Sequence, residues 1–163
     1  MATAISEQIA VKVKTRLGLI NTDSGYETTT TGVIRATRQG DFQPKDYQII
    51  VTQGTITRNE ELSHPGNPPA TAYDMPFQIA GVLRPSDDNA TAADTLKNQF
   101  WGDCVKALTT GTAWYNWDGL AINTAPPTDV EDYQAEDGAA VGFRFILTVT
   151  FRTDENDPFT ARA

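Results

Sequence analysis

The segment "GFRFILTVTFRTDENDP", residues 142–158, alternates apolar and polar side chains and then ends in an acidic turn that contains a proline. In an extended chain most of its apolar residues point to one side, namely Phe143, Phe145, Leu147, Val149 and Phe151, and Ile146 points to the other with polar neighbours. One apolar side and one mostly polar side indicate a sheet that is covered on a single face. The segment therefore predicts a strand over about residues 142–153 and helices that cover one face of its sheet.

Two amphipathic helices are expected to provide that cover. The first is predicted over about residues 4–18, where apolar residues recur at helical spacing, namely Ile5, Ile9, Val13 and Leu17. The second is predicted over about residues 91–109, where Thr91 and Asp94 have the spacing of a capping box. The apolar stripe of this second helix consists of Leu96, Phe100, Cys104, Ala107 and Leu108.

The remaining chain reads as strands separated by long polar segments. β-branched texture predicts strands over about residues 26–38, 47–58 and 77–83, with a bulge or bend at Gly54 in the second of them. Long loops are expected over residues 59–76 and 121–139, which are rich in Pro, Gly, Asn or acidic residues. We predict one domain over residues 1–163. Its expected fold is α+β, with a mixed or antiparallel β-sheet and two amphipathic helices packed on one face.

Charge is distributed unevenly along the 163 residues, whose net charge is −8. Up to Arg58 the balance is +2, and over the rest of the chain it is −10. An acidic surface repels phosphate, so we expect no grip on nucleic acid. Most of these carboxylates are expected to form a solvated surface that keeps the protein soluble. The first twenty residues do not resemble a signal peptide, and no apolar run approaches the length that crosses a bilayer.

No combination of residues in the sequence predicts catalysis. His64 is the one histidine and lies in a polar segment with no positioned nucleophile, so a hydrolytic triad is not expected. Asp129, Glu131 and Asp132 match no calcium loop and have no apolar surroundings that would separate their pKa values. Cys104 lies on an apolar stripe, which is typical of a buried, inert thiol. We therefore expect no enzyme activity, no catalytic residue, no metal and no cofactor.

The segment "AWYNWDG" concentrates Trp114, Tyr115 and Trp117 within four residues. Such a cluster forms the rim of a core, a protein interface or a platform for a sugar ring. The sequence favours the core and leaves the other two interpretations open.

The order of these parts resembles the tail terminator (tail completion) proteins of long-tailed bacteriophages. An N-terminal helix is followed by β-rich chain, the helix in "PSDDNATAADTLKNQFWGDCVKAL", an acidic segment and the last strand. The similarity covers nearly the whole chain and is one of layout, and its most specific part is the closing "VTFRTDENDPF". The chain is somewhat long for that family, chiefly in residues 53–76 and 121–139.

This resemblance implies a structural virion protein that forms a ring, commonly a hexamer, at the head-proximal end of the tail tube. The ring would stop tube polymerisation and dock the head-side connector. The implied partners are further copies of the chain, the tail tube protein and the connector or adaptor protein. DNA would pass through without specific binding, and no membrane would be involved. The implied location is the neck of the virion, and the host cytoplasm during assembly.

Two hypotheses about charge accompany the ring. The basic-leaning N-terminal third of one subunit is expected to meet the acidic remainder of the next. Part of the acidic surplus is expected to face the pore and to repel DNA. The candidate interface residues are Glu60, Glu61, His64, Trp114, Tyr115, Trp117, Asp129, Glu131, Asp132, Asp154, Glu155 and Asp157.

Three alternatives remain from the sequence. The chain could be a head–tail adaptor or the tail tube protein itself, and tube proteins stack into filaments rather than isolated rings. A carbohydrate-binding module that uses the aromatic cluster is the third alternative, although such modules are usually sandwiches without amphipathic helices.

Overall fold

The computed structural model describes residues 2–35, 45–66, 69–85, 92–134 and 139–162, which form two helices and one sheet. The helices are α1 (Ile5–Leu17) and α2 (Ala93–Thr109). The strands are β1 (Gly32–Arg35), β2 (Gln48–Gln53), β3 (Thr57–His64), β4 (Ala70–Leu83), β5 (Asn123–Gln134), β6 (Val141–Asp154) and β7 (Asp157–Ala161). The predicted α+β fold, with two helices on one face of a mixed sheet, is confirmed.

The sheet is centred on the antiparallel pair of β4 and β6, which stay in register over their full length from Ala70↔Asp154 to Leu83↔Val141. β2 and β3 follow one another along the free edge of β4, and β5 and β7 do the same along the free edge of β6. β1 lies outside β2 and is parallel to it. All other pairings are antiparallel, so the sheet is mixed.

The core lies between the sheet and the two helices. The predicted apolar sides of α1 and of the last strand are all buried there, as expected from their periodicity. Phe100 of α2 packs edge-on against Phe143, with ring centroids 5.6 Å apart, and against Tyr47 at 5.3 Å. Leu96, predicted on the same stripe, is only partly buried because it lies near the start of α2. Burying these rings supplies much of the hydrophobic stabilisation.

Two glycines let β4 and β6 approach closely under those rings. A Cβ placed on Gly81 would lie 2.3 Å from Cζ of Phe143, and one on Gly142 would lie 2.3 Å from the carbonyl oxygen of Gly81. A side chain at either position would collide with the ring or the backbone. The glycines therefore fix where Phe143 and Phe100 sit on the sheet.

The loop predicted over residues 59–76 is wrong, because most of this segment is a β-hairpin. β3 continues to His64, and β4 begins at Ala70 rather than near residue 77. The second predicted strand, over residues 47–58, is broken between β2 and β3, where the Gly54 N–H donates to the Pro76 carbonyl at 2.8 Å. In a strand the N and O of one residue point to the same side, so the nitrogen of Pro76 also faces the break between β2 and β3. Because this nitrogen has no proton, it cannot donate a hydrogen bond to a continuous neighbouring strand. Backbone pairing thus makes a strand from a polar sequence.

The loop predicted over residues 121–139 is also wrong, because Asn123–Gln134 form β5. This edge strand shifts register twice against β6, between Ala125 and Thr128 and between Thr128 and Glu131. Prolines and acidic residues are tolerated on an edge strand, whose outer side needs no hydrogen-bonding partner. The polar composition of this segment therefore predicted a loop where the structure has a strand.

The strand predicted over residues 26–38 is shorter in the structure. Only Gly32–Arg35 are strand, and residues 36–38 lie outside the described residues. The backbone N–H groups of Glu27 and Thr28 donate instead to the Asp103 carboxylate of α2, at 3.2 and 2.7 Å. The Thr28 hydroxyl also donates to this carboxylate, at 2.7 Å. Asp103 therefore clamps this segment to α2 and withdraws it from the sheet.

Smaller differences concern the ends of elements. α2 begins at Ala93 with Ala92 at its N-cap, and Thr91 of the predicted capping box lies outside the described residues. The final hairpin adds β7, which the sequence did not predict.

Removing the Asp103 clamp should destabilise the fold. Asp103 is 3% exposed, so Asp103→Ala leaves three donors without an acceptor and should lower the free energy of unfolding by about 3 kcal/mol. Urea unfolding measures this change. Glu61→Ala, at an exposed carboxylate without a partner in the described part of the chain, is the control and should shift stability by less than about 0.5 kcal/mol. Equal stability of both variants would contradict the clamp.

Candidate interaction surface

The twelve candidate residues do not form one site, since the structure distributes them over four regions. Glu60, Glu61 and His64 are exposed side chains of β3, and Glu60 pairs with Arg58 at 3.0 Å. Glu60, His64 and Glu155 line one shallow depression of about 360 Å³. This region is polar and open to solvent.

The aromatic cluster divides between surface and core. Tyr115 is 43% exposed and Trp114 is partly buried, whereas Trp117 is completely buried. The Nε1 of Trp117 donates to the Thr124 hydroxyl at 2.8 Å, and that hydroxyl donates to the Tyr115 carbonyl. Trp117 therefore belongs to the core, and the three rings do not form a flat exposed platform for a sugar.

Arg16 joins this aromatic cluster to both helices. Its guanidinium lies 4.0 Å from the centre of the Trp117 ring and donates to the carbonyls of Leu108 and Trp114 at 3.3 and 3.2 Å. Burial lowers the pKa of Arg16, and the Asp118 charge opposes this shift. Asp118 binds Lys12 at 2.5 Å, and this hydrogen bond lowers the pKa of its carboxyl. Sequence reasoning missed this arrangement, because nothing in the spacing of these residues indicates that they meet.

The three acidic residues of β5 divide between the two sides of the sheet, because Asp129 and Glu131 line one groove and Asp132 points towards α2. Glu131 faces Arg144 of β6, to which it is ion-paired, and Asp132 pairs with Lys97 of α2 at 2.8 Å. Asp129 has no ion pair or hydrogen bond within the described residues, and its φ of 57° places it in the left-handed region. An aspartate tolerates that conformation better than most residues. Of the three, Asp129 alone leaves its charge uncompensated within the described chain.

The C-terminal acidic residues are engaged locally. Asp154 pairs with Arg162. Asp157 accepts the Thr160 hydroxyl at 2.6 Å and the Phe159 N–H at 3.0 Å, and these hydrogen bonds lower the pKa of its carboxyl. This turn is therefore a self-contained cap at the end of the sheet.

The side of the sheet that faces away from the helices is a surface that sequence reasoning did not select. We call it the bare face, and its central side chains are Ile50, Gln78, Ala80, Arg144, Ile146 and Thr148. Ile146 is 53% exposed and Tyr133, on the same side, is 52% exposed. The available signal was Ile146 itself, which is an isoleucine on the mostly polar side of the final strand.

On this face, next to the two register shifts of β5, lies a groove of about 520 Å³. Its lining includes Pro126, Asp129, Glu131, Arg144 and Ile146. The groove combines apolar surface with one uncompensated carboxylate. Such a surface suits a side chain that is both apolar and cationic.

In the described ranges, no three His, Cys, Asp or Glu side chains are placed to hold a metal ion. Neither of the described helices is long and apolar enough to span a bilayer.

Comparison with known proteins gives no assignment: no protein-family model matches the chain, and no curated protein sequence matches it.

The buried Cys104 predicts a loss of stability in alkaline solution. Burial, with a smaller contribution from Asp103, raises the pKa of this thiol well above its ordinary value. The unfolded chain releases the proton from about pH 8.5 upward while the folded chain keeps it. Below that pH the thiol is protonated in both states, and its contribution to the free energy of unfolding is fully present. Above that pH the free energy of unfolding should fall by about 1.4 kcal/mol per pH unit.

Cys104→Ala tests this prediction, because the variant is less stable near neutral pH but lacks the titrating thiol. Urea unfolding under reducing conditions should give a shallower decline for the variant between about pH 8.5 and 9.5. The raised pKa values of Tyr26 and Tyr47 add their own decline at higher pH in both proteins. Identical slopes over the lower range would show that Cys104 ionises in the folded protein.

Proposed function

We propose that this chain is a structural subunit of a phage virion, namely the tail terminator that forms a ring at the head-proximal end of the tail tube. In this role it stops tube polymerisation and docks the head-side connector, and it carries out no catalysis. The observation that carries the proposal is the bare face, a sheet surface with large exposed apolar side chains and no covering element among the described residues. The choice of the tail terminator family comes from the resemblance in the order of helices, strands and acidic segments along the chain.

The bare face supports assembly because a sheet is stable when its apolar sides are covered. The helices cover one side, and Ile146 and Tyr133 remain more than half exposed on the other. Large apolar side chains that stay exposed on an uncovered sheet face favour an interaction surface. A neighbouring subunit in a ring would supply the missing layer.

The β3–β4 hairpin supports docking to neighbours along the tail axis. Nearly all of β3 is exposed, so its backbone is ordered by pairing with β4 rather than by a core. β3 carries exposed charged and polar side chains, including Glu60, Glu61 and His64. Such an exposed edge strand suits contacts with the tube or the connector.

Assembly of the purified chain tests the proposal. Light scattering and negative-stain imaging of one sample should give closed rings with a mass near six times the 17.8 kDa subunit, or monomers that form rings only on tail tubes. Long filaments would favour a tube protein, because a tube subunit stacks without limit. A monomer that ignores tail tubes and binds a glycan would contradict the proposal.

The acidic surplus leads to a second test. We propose that some of the uncompensated carboxylates line the pore, where they repel the phosphates of passing DNA. The assembled protein should therefore leave duplex DNA unretarded in a gel even at low salt. Retardation that weakens steeply as salt rises would indicate a basic DNA-binding surface and would contradict an acidic pore.

A further inference from the structure

The outer side of α1 presents an exposed lysine between apolar side chains, which complements the carboxylate in the groove of the bare face. Val11, Lys14 and Thr15 are exposed and lie on one face of the helix, and Leu19 follows just beyond its end. Val11 is 48% exposed and Leu19 is 60% exposed. This side of α1 therefore presents a lysine between two large apolar side chains.

Lys14 is also distinguished by its charge. The other described basic residues of α1 are already engaged, since Lys12 binds Asp118 and Arg16 binds the Trp117 ring and two carbonyls. Arg35 binds Glu7, whose pKa is lowered by that hydrogen bond. Lys14 has no side-chain partner in the part of the chain that the structure describes. Within α1, Lys14 is therefore the basic side chain that remains available to attract the acidic part of a neighbouring copy.

The groove presents the complementary set. Asp129 is its carboxylate without an internal partner, while Glu131 and Arg144 neutralise each other. Ile146 supplies the apolar part of the lining. Asp129 and the apolar surface beside it thus lie on the side of the sheet that faces away from the helices. Lys14 and its exposed apolar neighbours lie on the outer side of the helix layer.

We propose that the outer side of α1 in one copy docks onto the bare face of the next, with Lys14 against Asp129 and with Val11 and Leu19 on the apolar lining around Ile146. The occupant is a second copy because one chain carries both complementary surfaces. The two surfaces lie on opposite layers of the subunit, so the contact is head-to-tail, and it closes the proposed ring when the rotation between neighbouring copies divides a full turn. This inference rests on the proposed ring and specifies how its subunits meet.

Charge exchange tests the contact directly. Lys14→Asp and Asp129→Lys should each weaken ring assembly by about tenfold or more, because each places like charges against one another. The double variant restores opposite charges and should assemble within about threefold of the original protein. Light scattering over a range of concentrations measures the association, and circular dichroism confirms that each variant is folded.

Two matched variants serve as controls. Lys45→Asp reverses another exposed lysine of the N-terminal third, and Glu61→Lys reverses an exposed carboxylate on β3. Because Glu61 lies on the strand proposed to dock the tube or the connector, Asp23→Lys, at an exposed carboxylate outside the proposed docking surfaces, replaces Glu61→Lys wherever rings form only on tail tubes. Lys45→Asp and Asp23→Lys should leave subunit association unchanged. If the left-handed backbone at Asp129 does not accept lysine, Asp129→Asn keeps a residue that tolerates it and should weaken assembly by severalfold.

The outcomes separate this contact from the function on which it rests. Rings that form equally well with Lys14→Asp and Asp129→Asn would overturn the contact and leave the terminator proposal standing. Single variants that fail and a folded double variant that does not recover would overturn the direct pairing. An original protein that forms no ring, either alone or on tail tubes, would overturn both.

Discussion

The antiparallel pairing of β4 with β6 is the constraint on which the rest of the structure depends. These strands stay in register over fourteen residues each, and every other strand except β1 pairs with one of them. Gly81 and Gly142 fix their close approach and place Phe143 under Phe100, so the same pairing positions α2 on the sheet. A shift by one residue would turn Phe143 and its apolar neighbours to solvent and bring Arg144 into the core, which makes this register strongly specified.

Sequence reasoning predicted those parts of the fold in which burial determines the pattern. The alternation in β6 and the helical spacing in α1 both reflect contact with the core, so their faces followed from periodicity. The hairpin of β3 and β4 and the edge strand β5 were predicted as loops for the opposite reason. Their strand geometry comes from backbone hydrogen bonds to a neighbour, which leave side chains unconstrained and give no apolar period.

The candidate surface was predictable in charge but not in arrangement. The uneven distribution of charge is visible in the sequence, yet the structure neutralises many of the charges through contacts between distant residues, such as Lys12 with Asp118 and Arg35 with Glu7. The sequence favours the core for the aromatic cluster but does not show which ring is buried; in the structure a left-handed turn carries Trp117 into the core beneath Arg16, while Tyr115 stays exposed. Tertiary contacts of this kind have no local sequence signal.

The edges of the sheet explain why a face, rather than a strand edge, is the surface left for assembly. β5 carries Pro126, Pro127, two register shifts and several carboxylates, and β3 carries Arg58, Glu60 and an irregular pairing with β4. These are the features by which proteins prevent a second chain from adding to an edge. Addition of strands without limit is thereby disfavoured, whereas contact through the bare face stays open. A head-to-tail contact closes a ring when the rotation between neighbouring copies divides a full turn, and it extends a helical filament when the rotation does not, so the angle at which α1 meets the bare face decides between a ring and a tube.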